Sequence, residues 1–338
     1  MRKCGIIFSA IIIIFSFMVP DLFAQKKLAQ TGFQFLSVGT DARATAMGEA
    51  FTTIDGTSGA LFYNPAGLAG MEKMVDISFN TMNWIADIQY SSGTFAYNPA
   101  KGKYGVFGLS FLTVDYGDFE WTKVADNEQG FEDIGVELGN PQPRAYLGGI
   151  GYANQLTDRF SVGGQIKYVY QYLGKSYVPI YSKSDTTMTL KKYSNDVLAF
   201  DFGTIYKTGF KSLEFGMTVR NFSQEVKYEE EGFQLPLTFK IGFSMDVLDF
   251  LPNVTEDHTL HVSIDAVHPR SFPEYLNLGT EYSFQDMLFL RLGYITAQDE
   301  YGLTTGLGFN LFGVAFDYSY VPFDAFDNIS RISARFSL

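Results

Sequence analysis

The feature that most constrains this fold is a two-residue period of hydrophobicity that runs from about Val75 to the last residue. In the closing stretch ISRISARFSL, apolar residues such as Ile332 and Phe336 alternate with polar ones such as Arg331 and Ser333. The same alternation recurs in LHVSIDA, LFLRLGY, TFKIGFS and EFGMTVR. It is typical of strands with one apolar face and one polar face. So many apolar faces cannot all fit inside one small soluble core.

Candidate strands number about fourteen, and their lengths centre on about ten residues, near the 9 to 11 that a tilted strand needs to cross a bilayer. They are expected near residues 75–83, 87–97, 103–114, 144–155, 158–172, 196–207, 213–222, 237–245, 259–268, 275–284, 288–297, 303–311, 313–321 and 329–338.

The connections between these strands alternate in length. Long polar stretches such as 115–143, 173–195 and 223–236 follow odd-numbered strands, whereas most connections after even-numbered strands are short. Outer-membrane barrels have long extracellular loops and short periplasmic turns. Residues 246–258 depart from the pattern, and we interpret them as an oversized periplasmic connection.

Backbone groups that face lipid need hydrogen-bond partners, which only helices and closed sheets supply throughout. Beyond the first 24 residues, no apolar run approaches the length of a membrane helix. The sequence therefore predicts an all-β transmembrane barrel of about 14 antiparallel strands over residues 75–338. Its apolar face would meet outer-membrane lipid, and its polar face would line the lumen.

Residues 1–24 have the pattern of a cleaved secretory signal peptide, with a basic head, an apolar core and Ala24 at the cleavage point. An uncleaved anchor is the alternative, but the apolar core is shorter than the roughly 20 residues of a spanning helix. The remaining chain has no cysteine and hence no disulfide, because Cys4 lies in the basic head. With 25 basic and 37 acidic residues, a nucleic-acid partner is not expected.

Residues 25–74 break the two-residue period. DARATAMGEAF predicts two to three turns of helix capped by Asp41, and GTSGALFYNPAGLAG predicts a turn followed by tightly folded chain. A segment of this size without its own core must dock elsewhere. Because a barrel of about 14 strands has a wide interior, we expect residues 25–74 to form a hatch inside the lumen.

FLSVGTDARATAMGEAF followed by LFYNPAGLAGM resembles the amino-terminal region of the PorV/PorQ group of Bacteroidetes outer-membrane proteins, which are similar to the FadL long-chain fatty-acid channels. DAVHPRSFPEYLNLGTEYSFQDMLFLRLGY and GLGFNLFGVAFDYSYVPFDAF also resemble this group. The resemblance implies that Asn64, Pro65 and Ala66 belong to an internal hatch that plugs a fourteen-strand barrel. Whether that hatch is a static plug or a moving gate stays open.

Charged residues in the polar phase of the strands are expected in the lumen. We interpret Lys240, Arg291, Arg331 and Arg335 as ion-pair partners of Asp265, Glu281 and Asp317; substrate selection is the alternative role.

Catalytic chemistry is not evident in the sequence. His258 and His261, and likewise His261 and His268, are an odd number of residues apart and so lie on opposite strand faces, which argues against a metal site, and no catalytic triad is apparent. The glycines at 148, 149 and 151 lack the helix that a nucleotide-binding loop requires. We therefore expect neither an enzyme nor a cofactor.

Two functions are open. The resemblance implies a role in type IX secretion, with extracellular loops engaging a translocon or cargo proteins. Alternatively, as in FadL, the barrel would carry a hydrophobic small molecule or fatty acid through its lumen.

Overall fold

The computed structural model describes residues 31–135, 140–181, 186–251, 257–298, 302–324 and 326–338, so the predicted signal peptide lies outside it. The described strands are β1 Val75–Asn83, β2 Gln89–Tyr97, β3 Val106–Asp115, β4 Thr122–Val124, β5 Phe131–Asp133, β6 Arg144–Thr157, β7 Phe160–Tyr181, β8 Thr186–Lys207, β9 Glu214–Ser223, β10 Val226–Lys227, β11 Gly232–Phe233, β12 Thr238–Asp246, β13 His258–Pro269, β14 Tyr275–Phe284, β15 Leu288–Ile295, β16 Leu303–Leu311, β17 Val314–Val321 and β18 Ile329–Ser337.

A closed antiparallel barrel contains fourteen of these strands, and β18 pairs with β1 to complete it. The predicted barrel and its strand number are confirmed. The remaining strands form two hairpins, β4 with β5 and β10 with β11, in the loops after β3 and β9. Neither hairpin was predicted, because strands this short leave no periodic signal.

The strands direct alternate residues toward lipid and toward the lumen. On β1, Phe79 is 52% exposed on the outer face, whereas its neighbours Ser78 and Asn80 are buried inside. Leu290 and Leu292 on β15 likewise face outward on either side of buried Arg291. The predicted orientation, with apolar residues outside, therefore holds around most of the barrel.

On β3, β6, β7 and β8 the inner face also carries apolar residues. We name these residues the apolar wall: Leu112, Val114, Leu147, Val169 and Val197, all buried in one cluster. The prediction of a lumen that is polar all round is wrong on this side. Both faces of these strands meet apolar surroundings, with lipid outside and packed side chains inside.

Strands β7 and β8 are much longer than predicted. Each has 22 residues, and they pair with each other as far as Tyr181 and Thr186. Pairing of β6 with β7 stops at Tyr172, so the end of the β7–β8 hairpin projects beyond the barrel. We call this projection, residues 173–181 and 186–195, the ribbon. At about 3.3 Å per residue it extends about 30 Å beyond Arg144, the first residue of β6.

Helical elements are short. The α-helix α1 spans Ala42–Ala46, and 3₁₀ turns span Gln34–Ser37, Ser58–Phe62, Pro65–Gly70, Ile85–Asp87, Pro99–Gly102 and Val247–Phe250. Within the described ranges, no helix has the length and apolarity that crossing a bilayer requires.

Candidate functional site

Residues 31–74, the amino-terminal segment, pass through the lumen from the extracellular loops to the start of β1. At one end, Gly32 N donates to Gln234 O in the long loop after β9. In the middle, Gly48 N donates to Thr304 Oγ1 of β16, 3.0 Å away. At the other end, Asn98 Nδ2, in the short connection after β2, donates to Met71 O. The segment thus crosses the whole barrel interior.

Helix α1 lies inside the barrel, where Asp41 caps it. Asp41 Oδ1 accepts a hydrogen bond from Ala44 N at 3.0 Å, which is the predicted cap. Burial raises the pKa of the Asp41 carboxyl above its ordinary value. The helix is shorter than predicted because Gly48 adopts φ +62°. A Cβ there would lie 2.8 Å from Leu278 O, so glycine permits this close approach to the barrel.

Arg43 of α1 binds a cluster of charged residues on β14, β15 and β17. Its Nε and Nη2 donate to the two carboxylate oxygens of Glu281 at 2.8 and 2.6 Å. Arg291 Nε donates to the same carboxylate at 2.5 Å, and Arg291 Nη1 donates to Asp317 at 2.7 Å. Three of the predicted lumenal charges therefore meet in one network. Arg43 was not predicted to join it.

Asp265 and Lys240 hold the chain that follows α1. Asp265 Oδ2 accepts hydrogen bonds from Phe51 N, Thr52 N and Thr52 Oγ1 at 3.0, 3.1 and 2.6 Å. Lys240 Nζ donates to Glu49 O at 3.1 Å. Both residues thus bind the amino-terminal segment. The sequence suggested an ion pair between lumenal charges such as these, but Lys240 and Asp265 do not contact each other directly.

Arg331 and Arg335 complete the set of predicted lumenal charges. Arg331 Nε donates to Gly39 O at 3.1 Å, and its guanidinium lies over the Trp84 ring. Arg335 Nε lies 3.9 Å from Asp76 Oδ2, at the edge of ion-pair distance. We name the predicted charges on this side the charged wall: Lys240, Asp265, Glu281, Arg291, Asp317, Arg331 and Arg335.

The Asn64-Pro65-Ala66 motif lies deep in the lumen. Asn64 Oδ1 accepts from Ala66 N at 3.1 Å and so caps the 3₁₀ turn that begins at Pro65. Asn64 Nδ2 donates to Thr52 O at 2.7 Å and to Thr204 O of β8 at 3.2 Å. One side chain therefore joins the turn, the preceding chain and the barrel.

Glycines on the inner face of the strands give the amino-terminal segment its space. A Cβ on Gly293 would lie 2.0 Å from Gly48 N, and a Cβ on Gly163 would lie 2.5 Å from Ala66 N. The members of this glycine belt are Gly108, Gly151, Gly163, Gly203, Gly216, Gly279, Gly293 and Gly306. The belt was missed, although its signal was visible: these glycines share the phase of the inward polar residues.

A cavity of about 610 Å³ remains on the extracellular side of the segment. Leu112 and Leu147 of the apolar wall, Trp84 and Phe323 provide its apolar lining. Its polar lining includes Lys167, Asp201, Arg220, Asn221, Lys240, Asn277 and Arg331. The cavity therefore offers apolar surface together with fixed positive charge.

Arg220 is a cavity residue that was not among the predicted site residues, although it stands in the polar phase of β9. Its guanidinium lies 5.8 Å from the centre of the Tyr63 ring. Its Nε is buried without a hydrogen-bond partner, and within the described ranges no carboxylate pairs with it. By contrast, Lys167 pairs with Asp201 at 2.7 Å. Arg220 is thus the cavity cation best placed to meet an anionic group.

The three histidines lie on β13 without forming a ligand set. His258 Nδ1 shares a hydrogen bond with Tyr282 Oη at 2.7 Å, and His268 contacts Glu274. Across the described residues, no group of three His, Cys, Asp or Glu side chains is arranged to hold a metal ion.

The barrel resembles solved hydrocarbon channels. It matches the toluene transporter TbuX of Ralstonia pickettii with a TM-score of 0.59 and 12% identity, over 89% of this chain and 98% of that one. It matches the toluene transporter TodX of Pseudomonas putida with a TM-score of 0.56 and 12% identity, over 92% of this chain and 98% of that one. At this identity the likeness concerns the fold alone. No curated protein sequence matches the chain.

A family model described as type IX secretion system membrane protein PorP/SprF matches residues 147–322, just over half of the chain. The match runs from β6 to the end of β17 and so includes both the ribbon and most of the charged wall. The fold and this match together indicate an outer-membrane protein. The resemblance to the PorV/PorQ group stays a prediction, and the chain belongs to the type IX secretion system membrane protein PorP/SprF family.

Proposed function

We propose that this barrel serves type IX secretion by engaging a translocon or secreted cargo through its extracellular loops, as the PorV/PorQ group does. The ribbon is the observation that carries this proposal. It projects about 30 Å beyond β6, and the loop after β3 packs beside it, with the Trp121 and Tyr177 rings 5.9 Å apart. A preformed projection on the extracellular side suits protein recognition.

The filled lumen supports the same proposal. Residues 25–74, described from residue 31, act as a hatch, and the charged wall and the glycine belt hold it static from Gly39 onward. The bond from Thr52 to Asp265 is buried and the bonds from Arg43 to Glu281 are partly buried; both are charge-assisted, the strong kind of hydrogen bond. A hatch fixed in this way leaves the outer surface as the working part of the molecule.

Affinity capture from native membranes tests the proposal. The ribbon is shortened by deleting residues 177–190 and joining Ser176 to Lys191, which are paired, through Asn-Gly. We expect the full chain to recover translocon components or secreted cargo, and the shortened chain to lose them. Phe312→Ala in a periplasmic turn is the matched control, which should recover them unchanged. Failure of the full chain to recover either class from cells with active type IX secretion would contradict the proposal.

A second function, transport of hydrophobic small molecules or fatty acids, is favoured by the cavity. The apolar wall suits a hydrocarbon chain, and Arg220 suits a carboxylate. The cavity lies on the extracellular side of the hatch, so onward passage requires the hatch to move.

Mass spectrometry of protein purified without added lipid tests this second function. A bound carboxylate-bearing lipid is expected, with its occupancy lowered about tenfold in Arg220→Ala because a charge-assisted hydrogen bond is lost. Asn64→Ala should change the uptake of hydrophobic small molecules, because it removes bonds that hold the hatch to the barrel. A lumen that never contains lipid, together with unchanged uptake, would rule out transport.

A further inference from the structure

The first residues of the amino-terminal segment are held differently from the rest. Residues 31–38, TGFQFLSV, form what we call the strap, at the extracellular end of the lumen. Phe33, Phe35 and Leu36 are buried, at 1%, 3% and 5% exposure, in the same cluster as the apolar wall. The strap therefore fills the apolar side of the lumen with two phenylalanines and a leucine.

Few polar bonds attach the strap to its surroundings. Gly32 N donates to Gln234 O at 3.3 Å, a long hydrogen bond, and Thr31 forms a parallel bridge with Gln234. Phe33 adopts φ +56°, a left-handed conformation that is rare for a large side chain. Apolar contact thus supplies most of the attachment, at the expense of local backbone strain.

The loop after β9 provides the other side of this site. Phe233 lies 6.1 Å from Phe33 and stacks on Tyr228 at 5.4 Å, while Val226 and Leu235 are buried in the same cluster. Thr31 bridges Gln234 in parallel just after β11, and the strap then turns through the 3₁₀ helix Gln34–Ser37. We call this site, formed by the loop and the apolar wall, the strap groove.

We propose that the strap is an internal stand-in for a partner, and that the strap groove recognises a segment of a second protein that carries two aromatic residues two positions apart and turns as the strap does. The partner segment displaces the strap and takes over its parallel bridge to Gln234. This inference rests on the proposed role in protein recognition and names the chemistry of the recognised segment. The strap itself supplies the model for that segment, because TGFQFLSV already fits the groove.

A tethered strap competes with an added segment at an effective concentration of about millimolar. Removing its two aromatic anchors should therefore expose the groove. The probe is a fluorescent peptide of sequence TGFQFLSV, added to the full chain in detergent. We expect the Phe33→Ser, Phe35→Ser double variant to bind it at least tenfold more tightly than the natural chain. The same peptide with aspartate in place of both phenylalanines should not bind.

A disulfide lock provides the second measurement and does not depend on that variant. Thr31→Cys and Gln234→Cys are introduced with Cys4→Ser, so that no other cysteine is present. Bridged residues on adjacent strands lie within disulfide range. Reduced protein should bind the peptide and oxidised protein should not. Equal binding to both forms, or no binding to either form and none to the double variant, would overturn the inference.

Capture from native membranes separates this inference from the proposed function. If oxidised, locked protein recovers secretion partners as well as reduced protein does, the proposed function stands and strap exchange is excluded. If the natural chain recovers no partner, the proposed function fails whatever the peptide does.

Discussion

The charged wall and the apolar wall hold the same segment by different means. Against the charged wall, residues 41–52 form directional bonds, partly buried at Arg43 and buried at Thr52. Against the apolar wall, the strap relies on contact between side chains. Directional bonds fix one position, whereas apolar contact accepts any segment of suitable shape. We therefore expect the charged wall to anchor the amino-terminal segment, and the apolar wall to allow the strap to be exchanged for a partner segment.

Removing the carboxylate of Glu281, at the centre of the charged wall, should cause the largest loss in the free energy of unfolding. Glu281→Ala leaves the buried guanidinium group of Arg291 and the partly buried one of Arg43 without their shared partner. We expect a loss of about 3 to 5 kcal/mol in the free energy of unfolding, measured by urea denaturation in phospholipid vesicles. A loss below about 1 kcal/mol would mean that this network does not anchor the segment.

Replacing a glycine of the glycine belt by a larger residue should cause the second-largest loss in the free energy of unfolding. In Gly293→Val the new Cβ would meet the backbone of Met47 and Gly48, which cannot move aside easily. We expect a loss of about 1 to 3 kcal/mol and faster proteolysis of the amino-terminal segment. Gly148→Val is the matched control, since a Cβ there meets nothing within 4 Å. Equal effects of the two substitutions would show that the segment does not press on the barrel at this point.

Truncating the apolar wall should cost less than breaking the charged wall. Leu112→Ala enlarges a cavity that already exists, so the loss should fall near the low end for a buried leucine, about 2 kcal/mol. The same substitution should loosen the strap, because both belong to one cluster. Faster exchange of the Phe33 to Leu36 amide hydrogens, with unchanged exchange near Thr52, is the expected pattern. Uniform exchange would contradict the division between the walls.

Arg335, at the periplasmic edge of the charged wall, should contribute least to the free energy of unfolding. Arg335 lies 3.9 Å from Asp76, and its side chain is 26% exposed. Arg335→Ala is therefore expected to change the free energy of unfolding by no more than about 0.5 kcal/mol. A loss comparable to that of Glu281→Ala would place the anchor at the periplasmic rim instead.

The barrel was predictable from sequence because few folds other than a barrel give so long a two-residue period with polar residues in one phase. The apolar wall was not predictable in this way. On β3, VFGLSFLTVD carries large apolar residues in both phases, so Phe111 facing lipid and Leu112 facing the lumen look alike. Local pattern cannot separate two apolar environments.

The candidate site was predictable only in part. The inward phase pointed to Glu281, Arg291 and Asp317, which meet in one network. Arg43 joins Glu281 across 238 residues of sequence, and no local pattern indicates such a contact. The glycine belt can be explained only once the path of the amino-terminal segment is known, because each glycine contacts a part of that segment far away in sequence.

A double-mutant cycle between Arg43→Met and Glu281→Gln tests most directly whether the amino-terminal segment is anchored to the charged wall. Residues in buried contact show coupling energies of about 0.5 to 3 kcal/mol, whereas distant residues are additive. Because this pair forms two bonds at 2.8 and 2.6 Å, we expect coupling in the upper half of that range. Additive losses would show that Arg43 does not contact Glu281, and the segment would not be anchored there.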